Sequence, residues 1–202
     1  MSIPKSHYFQ AHPEVASQPR TVRLRMADVD VELATDRGVF GSKAVDAGTL
    51  ILLREAPPPP TSGALLDLGC GYGPIAIALA RRAPQAHVWA IDINERAVEL
   101  AVANAAKMQL SNVTAVTPER VPEDARFDAI YSNPPVRVGK QPLHDLLLAW
   151  LPRLKPGAPA YLVVQRNLGS DSLAAWLAAE GWRVARLKSK KGYRILEVTA
   201  GS

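Results

Sequence analysis

The chain has 202 residues, 48% of them hydrophobic and 21% charged, a balance that predicts one globular domain with a substantial core and argues against disorder. No apolar stretch approaches the roughly 20 residues of a membrane span, and segment 1–12 lacks an apolar signal core, so we expect a soluble cytoplasmic protein with no membrane partner. Cys70 is the only cysteine, which excludes an intrachain disulfide and a thiolate-rich metal site. The net charge of +5 at pH 7 favours an anionic partner.

The first 60 residues predict a small N-terminal β-hairpin, a helix and a proline-rich spacer. Alternating apolar residues within segment 21–33 predict two short strands joined near Asp28. Asp46 is predicted to cap a helix over residues 47–55. The four prolines at 57–60 cannot continue that helix, so they are predicted to form a stiff extended spacer before the main core.

Strands and helices alternate through residues 61–202, which we predict to be the Rossmann-like part of a single domain. Predicted strands cover residues 64–66, 87–91, 112–116, 127–131 and 160–164. Predicted helices cover residues 75–82, 95–109, 143–154 and 170–177. Two last strands, about 182–187 and 193–199, have no helix between them and must form an antiparallel hairpin across a lysine-rich turn. The pattern predicts an α/β fold with a doubly wound, mostly parallel sheet of seven strands.

The segment 67–74, Asp-Leu-Gly-Cys-Gly-Tyr-Gly-Pro, predicts a strand end, a tight turn and a helix start. Its alternate glycines permit positive φ and close approach to a ligand, and Pro74 suits a first helical position. The dinucleotide fingerprint G-x-G-x-x-G fails from Gly69, and from Gly71 only the looser form ending at Ala76 is met. The turn therefore disfavours a nicotinamide or flavin, and the alternative that it binds nothing stays open.

Two further motifs follow predicted strands, where the ligands of doubly wound sheets bind. Asp92 can accept hydrogen bonds from both hydroxyls of a ribose, although helix capping is an alternative role. In Asn133-Pro134-Pro135 the prolines hold the chain extended and are predicted to leave the carbonyls of residues 132–134 unpartnered. With the Asn133 amide oxygen they form a lip that can hold an amino group and present its nitrogen to an electrophile. A stiffened strand exit is the alternative.

Basic residues are concentrated in segment 183–194, which holds six of them and no acid, and a smaller group comprises Arg20, Arg23 and Arg25. Two interpretations stay open. In one interpretation both groups lie on solvated strand edges, where lysine and arginine keep the edge soluble. In the other they form a patch that faces RNA.

In their order and spacing, residues 67–74, Asp92 and residues 133–135 resemble the class I S-adenosylmethionine-dependent methyltransferases that modify exocyclic or amide nitrogens. More narrowly, the chain resembles the family of small-subunit rRNA guanine-N2 methyltransferases and their single-domain relatives. The resemblance covers nearly the whole chain. Its further supporting stretches are His7-Tyr8-Phe9, Gly38-Val39-Phe40, Asp46-Ala47-Gly48-Thr49, Val136-Arg137-Val138-Gly139-Lys140 and Gly192-Tyr193-Arg194.

This resemblance implies S-adenosylmethionine as the cofactor of one methyltransferase domain spanning residues 1–202. The methionine part is implied to lie against Asp67, Gly69 and Gly71, with the ribose hydroxyls on Asp92. The complete set of implied cofactor-binding residues is Asp46, Thr49, Asp67, Gly69, Gly71, Gly73, Asp92, Glu119 and Asn133. Asp46 and Thr49 match the segment that closes over the methionyl end, and Glu119 stands where the family often has an acid near the adenine.

Asn133 and Pro134 are implied to be the catalytic residues, which hold the acceptor nitrogen while it attacks the methyl group in line, without a covalent enzyme intermediate. Related DNA-adenine and protein-glutamine methyltransferases have an aromatic residue after the two prolines. This chain has Val136 there, which favours the guanine-N2 branch. The implied substrate-binding residues are Pro135, Arg137 and Lys140 beside a flipped nucleotide, and Tyr193 as a stacking residue.

The implied partner is RNA, as rRNA or a ribosomal particle, and the expected assembly state is a monomer or a weak homodimer. Related two-domain rRNA enzymes carry an additional N-terminal half, so the target of this chain is expected to differ or to dock in another way. Two alternatives stay open: a non-catalytic RNA-binding or assembly module, and a methyltransferase that acts on protein or a small molecule. A nicotinamide-dependent reductase is disfavoured by the imperfect fingerprint and by the acceptor lip.

Overall fold

The computed structural model describes residues 15–201, so His7-Tyr8-Phe9 lies outside the described residues. The strands of the described chain are β1 (Arg20–Arg25), β2 (Asp30–Thr35), β3 (Ser62–Leu68), β4 (Gln85–Ile91), β5 (Val113–Val116), β6 (Ala129–Ser132), β7 (Ala160–Gln165), β8 (Trp182–Lys190) and β9 (Tyr193–Ala200). The helices are α1 (Ala47–Glu55), α2 (Pro74–Arg82), α3 (Glu95–Lys107), α4 (Lys140–Trp150) and α5 (Ser170–Ala179).

Seven strands form one mixed sheet in the order β5-β4-β3-β6-β7-β9-β8. The first five are parallel, and β9 runs antiparallel to both β7 and β8. The chain winds outward from β3 to β5 and then returns to place β6 on the other side of β3. The carboxyl ends of β3 and β6 therefore flank the point where the strand order reverses, which is where doubly wound sheets bind ligands. The predicted fold class is confirmed.

Alternate residues of β3 enter two hydrophobic layers, one on each face of the sheet. Leu65 packs in the layer that contains α1, α2 and α3, whereas Leu66 and Leu68 pack in the layer that contains α4 and α5. Asp67 is 0% exposed and shares the face of Leu65. This alternation directs the Asp67 carboxylate towards α2, beneath the loop that follows β3.

β1 and β2 form a separate antiparallel pair that is tied to α2 and α3, which confirms the predicted N-terminal hairpin. The buried side chain of Asn104 donates to the carbonyl oxygens of Ala34 (2.8 Å) and Tyr72 (2.9 Å), and its oxygen accepts from the Ala34 N–H at 2.7 Å. Arg82 pairs with Asp28 in the β1–β2 turn at 2.6 Å. The hairpin is thus linked through Asn104 to the loop after β3.

Several predicted boundaries differ from the observed ones by two or more residues, as in β3, β4 and β6, and two of the differences concern the lip and the basic segment. α4 begins at Lys140 instead of residue 143, because Pro142 in the first helical turn needs no N–H partner. β8 continues to Lys190, because Lys191 and Gly192 (φ 48° and 81°) form a two-residue hairpin turn that lets the strands pair up to its edge. Most of the lysines predicted to form the turn therefore lie on an edge strand.

No helix within residues 15–201 combines the length and the apolar character that a bilayer span requires. In the same described range, no cluster of three or more His, Cys, Asp or Glu side chains is arranged to hold a metal ion.

Candidate active site

A cavity opens at the carboxyl edge of the sheet, between the loop after β3 and the chain that leaves β6. The buried hydroxyl of Ser132 donates to the carbonyl oxygen of Leu68 at 2.6 Å, which holds the two strand ends together. The cavity is lined by Phe40, Gly41, Asp46, Thr49, Gly69, Cys70, Gly71, Tyr72, Pro74, Ile75 and Asn133. The fold thus brings together five of the predicted site residues: Asp46, Thr49, Gly69, Gly71 and Asn133.

The glycine loop, residues 69–73, is held by backbone hydrogen bonds to the end of β4. The N–H groups of Gly69 and Cys70 both donate to the carbonyl oxygen of Ile91, at 2.8 and 2.9 Å. Gly69 has a φ of 76°, and a Cβ atom built on it would meet nothing within 4 Å. The loop therefore presents bare backbone to open space, as close approach to a ligand requires.

Asp67 and Gly73 occupy structural positions beside this loop. Asp67 does not line the cavity: one carboxylate oxygen accepts from the Ala76 N–H at 2.9 Å, and the other is buried without a partner in residues 15–201. Burial raises the pKa of Asp67 to about 8. Gly73 is buried at the start of α2, where an added Cβ would lie 3.2 Å from the Cβ of Ala101. In the structure Asp67 lies under the loop and Gly73 lies against α3, and their implied contact with the cofactor stays a prediction.

Asp92 closes the glycine loop from the end of β4. Its carboxylate accepts from the N–H groups of Gly71 at 2.9 Å and Asn94 at 3.0 Å, and burial raises its pKa. The N-cap of α3 is Asn94, so the alternative that Asp92 itself caps this helix is wrong. Glu119 is exposed on a short turn after β5, accepts a hydrogen bond from Thr117 and lies outside the cavity lining.

The amide of Asn133 is held in one orientation by α1. Its NH2 group donates to the Oδ1 atom of Asp46 at 2.7 Å and to the Oγ1 atom of Thr49 at 3.0 Å. The same Asp46 oxygen caps α1 by accepting from the N–H groups of Gly48 (2.8 Å) and Thr49 (3.2 Å). Because a carboxylate only accepts, it fixes which end of the amide faces it. The Asn133 oxygen is left without a partner in residues 15–201.

The prolines of the lip offer fewer free acceptors than the sequence predicts. The carbonyl oxygen of Pro134 accepts from the Val136 N–H at 2.8 Å, and that of Pro135 accepts from the Val138 N–H at 3.2 Å. The prediction that the Pro134 carbonyl has no partner is therefore wrong, because the chain turns tightly after Pro135 instead of staying extended. The side chain of Pro134 is buried, so it stiffens the support of Asn133.

The predicted substrate-binding residues divide between two sides of the lip. Tyr193 packs on α1, where a Cβ added to Gly48 would lie 2.8 Å from its ring. The pKa of Tyr193 is raised by burial and by the nearby Asp46 carboxylate, with Arg137 acting in the opposite direction. Arg137 and Tyr193 therefore share one side. Lys140 is exposed on the other side, where α4 begins.

Sequence reasoning assigned no role to two aromatic residues of the cavity. Phe40 is 65% exposed, the largest fraction among the exposed large hydrophobic residues of the described chain, although it stands within a stretch that supports the resemblance. Tyr72 lies inside the glycine motif and is 2% exposed, and its hydroxyl has no hydrogen-bond partner in residues 15–201. Burial and the Asp46 carboxylate raise the pKa of that hydroxyl.

Four of the six basic residues in segment 183–194 are paired with acids. The pairs are Lys188 and Lys190 with Glu55, and Arg186 and Arg194 with Asp171. The hydrogen bond from Lys190 lowers the pKa of Glu55. These pairs favour the solvated-edge interpretation over an RNA-facing patch for this strand.

A Rossmann-like sheet with a glycine loop, a carboxylate after the adjacent strand and an Asn-Pro-Pro lip at its reversal point defines a methyltransferase. A family model described as methyltransferase small domain matches residues 30–197, and the chain belongs to that family. The predicted family and enzyme class are confirmed.

Two relatives illustrate the match. The Bacillus subtilis (strain 168) protein YbxB is 34% identical over 194 residues, which cover 95% of this chain and 96% of YbxB. The ribosomal RNA large subunit methyltransferase G of Pseudomonas fluorescens (strain Pf0-1) is 30% identical, over 88% of this chain and 50% of its own length.

Among solved structures, the T. thermophilus 16S rRNA N2 G1207 methyltransferase RsmC, in complex with AdoMet and guanosine, has a TM-score of 0.78 and 27% identity. The match covers 93% of this chain and 52% of RsmC. The chain thus spans about half the length of these two rRNA methyltransferases.

Proposed function

We propose that this methyltransferase uses S-adenosylmethionine to methylate the exocyclic N2 amino group of a guanine in ribosomal RNA, in the cytoplasm. The observation that carries the proposal is the fixed Asn133 amide, whose NH2 group is bound to Asp46 and Thr49 while its oxygen has no partner among residues 15–201. An exocyclic amino group offers N–H donors, so it complements that oxygen. RsmC, which matches nearly the whole chain, is named for methylation of a guanine N2 atom in 16S rRNA.

The cavity has the features that S-adenosylmethionine needs. Gly69 offers backbone beside open space. The Asp92 carboxylate holds the Gly71 N–H from outside the cavity lining, and its role in accepting hydrogen bonds from the ribose hydroxyls is part of the proposal. The buried hydroxyl of Tyr72 has no partner in residues 15–201, and such groups normally find one. When bound, the cofactor supplies an electrophilic methyl group on sulfur.

The chain contributes positioning rather than a strong base. The Asn133 oxygen accepts one N–H of the guanine amino group, which directs the nitrogen lone pair into the cavity. Asp46 is a positioning residue that acts through Asn133. Its Oδ1 atom already accepts three hydrogen bonds, from Gly48, Thr49 and Asn133, so that atom is occupied in holding the amide. Holding two reactants at about 3–3.5 Å in the correct orientation lowers a barrier by several kcal/mol. The amino proton leaves to water after the transfer.

The rim of the lip suits a flipped nucleotide. Tyr193 lies on the Asp46 side and supplies the aromatic face that Val136 does not. Arg137 is exposed near Tyr193, and its role in the proposal is to bind a phosphate of the RNA. Pro135 in the lip and Lys140 at the start of α4 complete the proposed substrate-binding set.

The test is replacement of Asn133 by alanine. We expect Asn133→Ala to abolish tritium transfer from labelled S-adenosylmethionine into RNA, while calorimetry shows cofactor affinity within a few fold of the wild type. Retained turnover in Asn133→Ala would show that the lip does not hold the acceptor nitrogen. Failure of the wild type to bind the cofactor would favour the non-catalytic RNA-binding module.

A second measurement identifies the acceptor. N2-methylguanosine should be missing at one rRNA position in cells without this protein and present in cells with it. Label recovered in protein or in small molecules, with none in RNA, would assign a different substrate class.

A further inference from the structure

A second cavity lies behind the lip, between α4 and α5, and shares no lining residue with the catalytic cavity. Its floor is apolar, because Leu143 and Leu173 are only 6% and 3% exposed. Leu168 is 38% exposed and stands in its lining as well. An apolar slot with an exposed leucine at its edge can bury one face of a planar ligand.

Four of the other lining residues of this cavity are polar, namely Lys140, His144, Asn167 and Ser172. Lys140 is exposed and has no ion-pair partner in residues 15–201, and the amide of Asn167 is also exposed. The ring of His144 stacks face to face on Trp176, with centroids 3.6 Å apart and planes 5° from parallel, which fixes its orientation. Burial and the Lys140 charge lower the pKa of His144, so the neutral imidazole can both donate and accept a hydrogen bond.

The second cavity is continuous with the lip. Val136 lines it and directly follows Pro135, so its Cα atom lies within about 11 Å of the Cα of Asn133 by chain length alone. Lys140, the first residue of α4, lines the same cavity and follows Asn133 by seven positions in the chain. An RNA strand that places one base at Asn133 therefore has its neighbouring nucleotide near the mouth of the second cavity.

We propose that the second cavity binds the base of the nucleotide next to the target guanine, with Lys140 on the phosphate that joins the two. This proposal rests on the function proposed above. Unstacked single-stranded bases bind in such pockets, with an apolar contact to the base face and hydrogen bonds to its edge. Lys140 supplies the charge that a phosphate needs, and His144 and Asn167 supply groups for the edge of the base.

The experiment measures the binding of trinucleotides with a central guanine. One trinucleotide carries all three bases, and two others lack the base on the 5′ or on the 3′ side of the guanine. For the wild type with S-adenosylmethionine present, we expect removal of one neighbouring base to weaken binding at least tenfold. Leu168→Trp fills the slot and should abolish this difference. Leu148→Trp is the matched control, because Leu148 is also exposed (43%) but lies on α4 outside the cavity lining, and it should keep the difference.

Calorimetric affinity for S-adenosylmethionine should be unchanged in both variants, which shows that each is folded. Equal binding of abasic and complete trinucleotides by the wild type, or an unchanged difference in Leu168→Trp, would overturn the proposal. Failure of the proposed function is seen separately, as no transfer of labelled methyl from the wild type into any RNA. Ser172→Trp, which fills the same cavity from α5, should reproduce the result of Leu168→Trp.

Discussion

The two walls of the catalytic cavity are built in different ways. The glycine loop lies within one strand-helix-strand unit and is held by backbone hydrogen bonds to Ile91 and by the Asp92 carboxylate. The lip depends on a distant part of the chain, because Asn133 is oriented by Asp46, 87 residues earlier in the sequence. One wall is therefore a local motif and the other is a tertiary contact between side chains.

This difference separates binding from catalysis. Backbone geometry in the loop offers room and N–H groups, which serve cofactor affinity. Asp46 and Asn133 also line the cavity, but the hydrogen bond between them decides where one acceptor atom points. Substitutions in the loop should therefore act on affinity or stability, and substitutions at Asp46 should act on turnover.

Among substitutions that keep Asn133, the largest effect is expected for Asp46→Ala. The Asn133 amide loses its fixed orientation, and such misplacement costs on the order of 100-fold in turnover. The lost helix cap should also lower the free energy of unfolding by about 1 kcal/mol. Turnover at saturating cofactor and denaturant unfolding measure the two effects.

Asp46→Asn is the matched control for this prediction. Asparagine caps helices well and keeps an oxygen that can accept from Asn133, so turnover should be far closer to that of the wild type. Equal losses in both variants would show that the charge, and not the orientation of Asn133, is what turnover needs.

Two glycines of the loop should respond differently to alanine. In Gly73→Ala the new Cβ lies 3.2 Å from Ala101 and φ is unfavourable at 89°, so we expect a loss of about 2 kcal/mol in the free energy of unfolding. In Gly69→Ala the Cβ enters open space, so the loss of stability should be smaller, about 1 kcal/mol, and cofactor affinity should fall instead. Calorimetry and denaturant unfolding on both variants separate the two. A larger fall in affinity for Gly73→Ala would place that glycine at the ligand.

Asp67 should give the protein a measurable pH dependence. Its folded-state pKa is raised to about 8 against an ordinary value of 3.8, so its contribution to stability is fully present below about pH 3.8 and is lost as the pH rises through 8. Asp67→Asn keeps an acceptor for the Ala76 N–H and cannot ionise. The free energy of unfolding of the wild type minus that of Asp67→Asn should therefore fall between pH 5 and pH 8.5. A constant difference would show that Asp67 is ionised in the folded protein throughout this range.

The smallest effects are expected on β8. Lys188 and Lys190 are about half exposed and paired with Glu55, and such surface pairs contribute roughly 0–1 kcal/mol. Replacing both by glutamine should leave RNA affinity and its salt dependence nearly unchanged, whereas Arg137→Gln should weaken RNA binding and reduce the salt slope. Filter binding at several salt concentrations makes the comparison. A strong loss of RNA affinity when the two lysines are replaced would support the interpretation that β8 forms an RNA-facing patch.

Local patterns were enough to predict most of the fold. The strand and helix periodicities, the glycine motif and the proline terminators depend on neighbours in sequence, and the predicted sheet with its C-terminal hairpin is confirmed. Where local reasoning failed, a longer-range contact decided. The orientation of Asn133 follows from Asp46 on a distant element, and the burial of Gly73 follows from Ala101 on the next helix.

The sequence by itself determined the class of protein, because the glycine turn, the strand-end acid and the Asn-Pro-Pro segment are each short motifs whose order and spacing can be recognised along the chain. It also indicated that Asp46, Thr49 and Asn133 belong to one site. Only the tertiary structure decided that Asp46 and Thr49 hold the NH2 group of Asn133, that Asp67 lies beneath the loop and that Tyr72 faces the cavity. The physical reason is that the direction of a side chain depends on which distant elements pack around it, and sequence spacing carries no record of that packing.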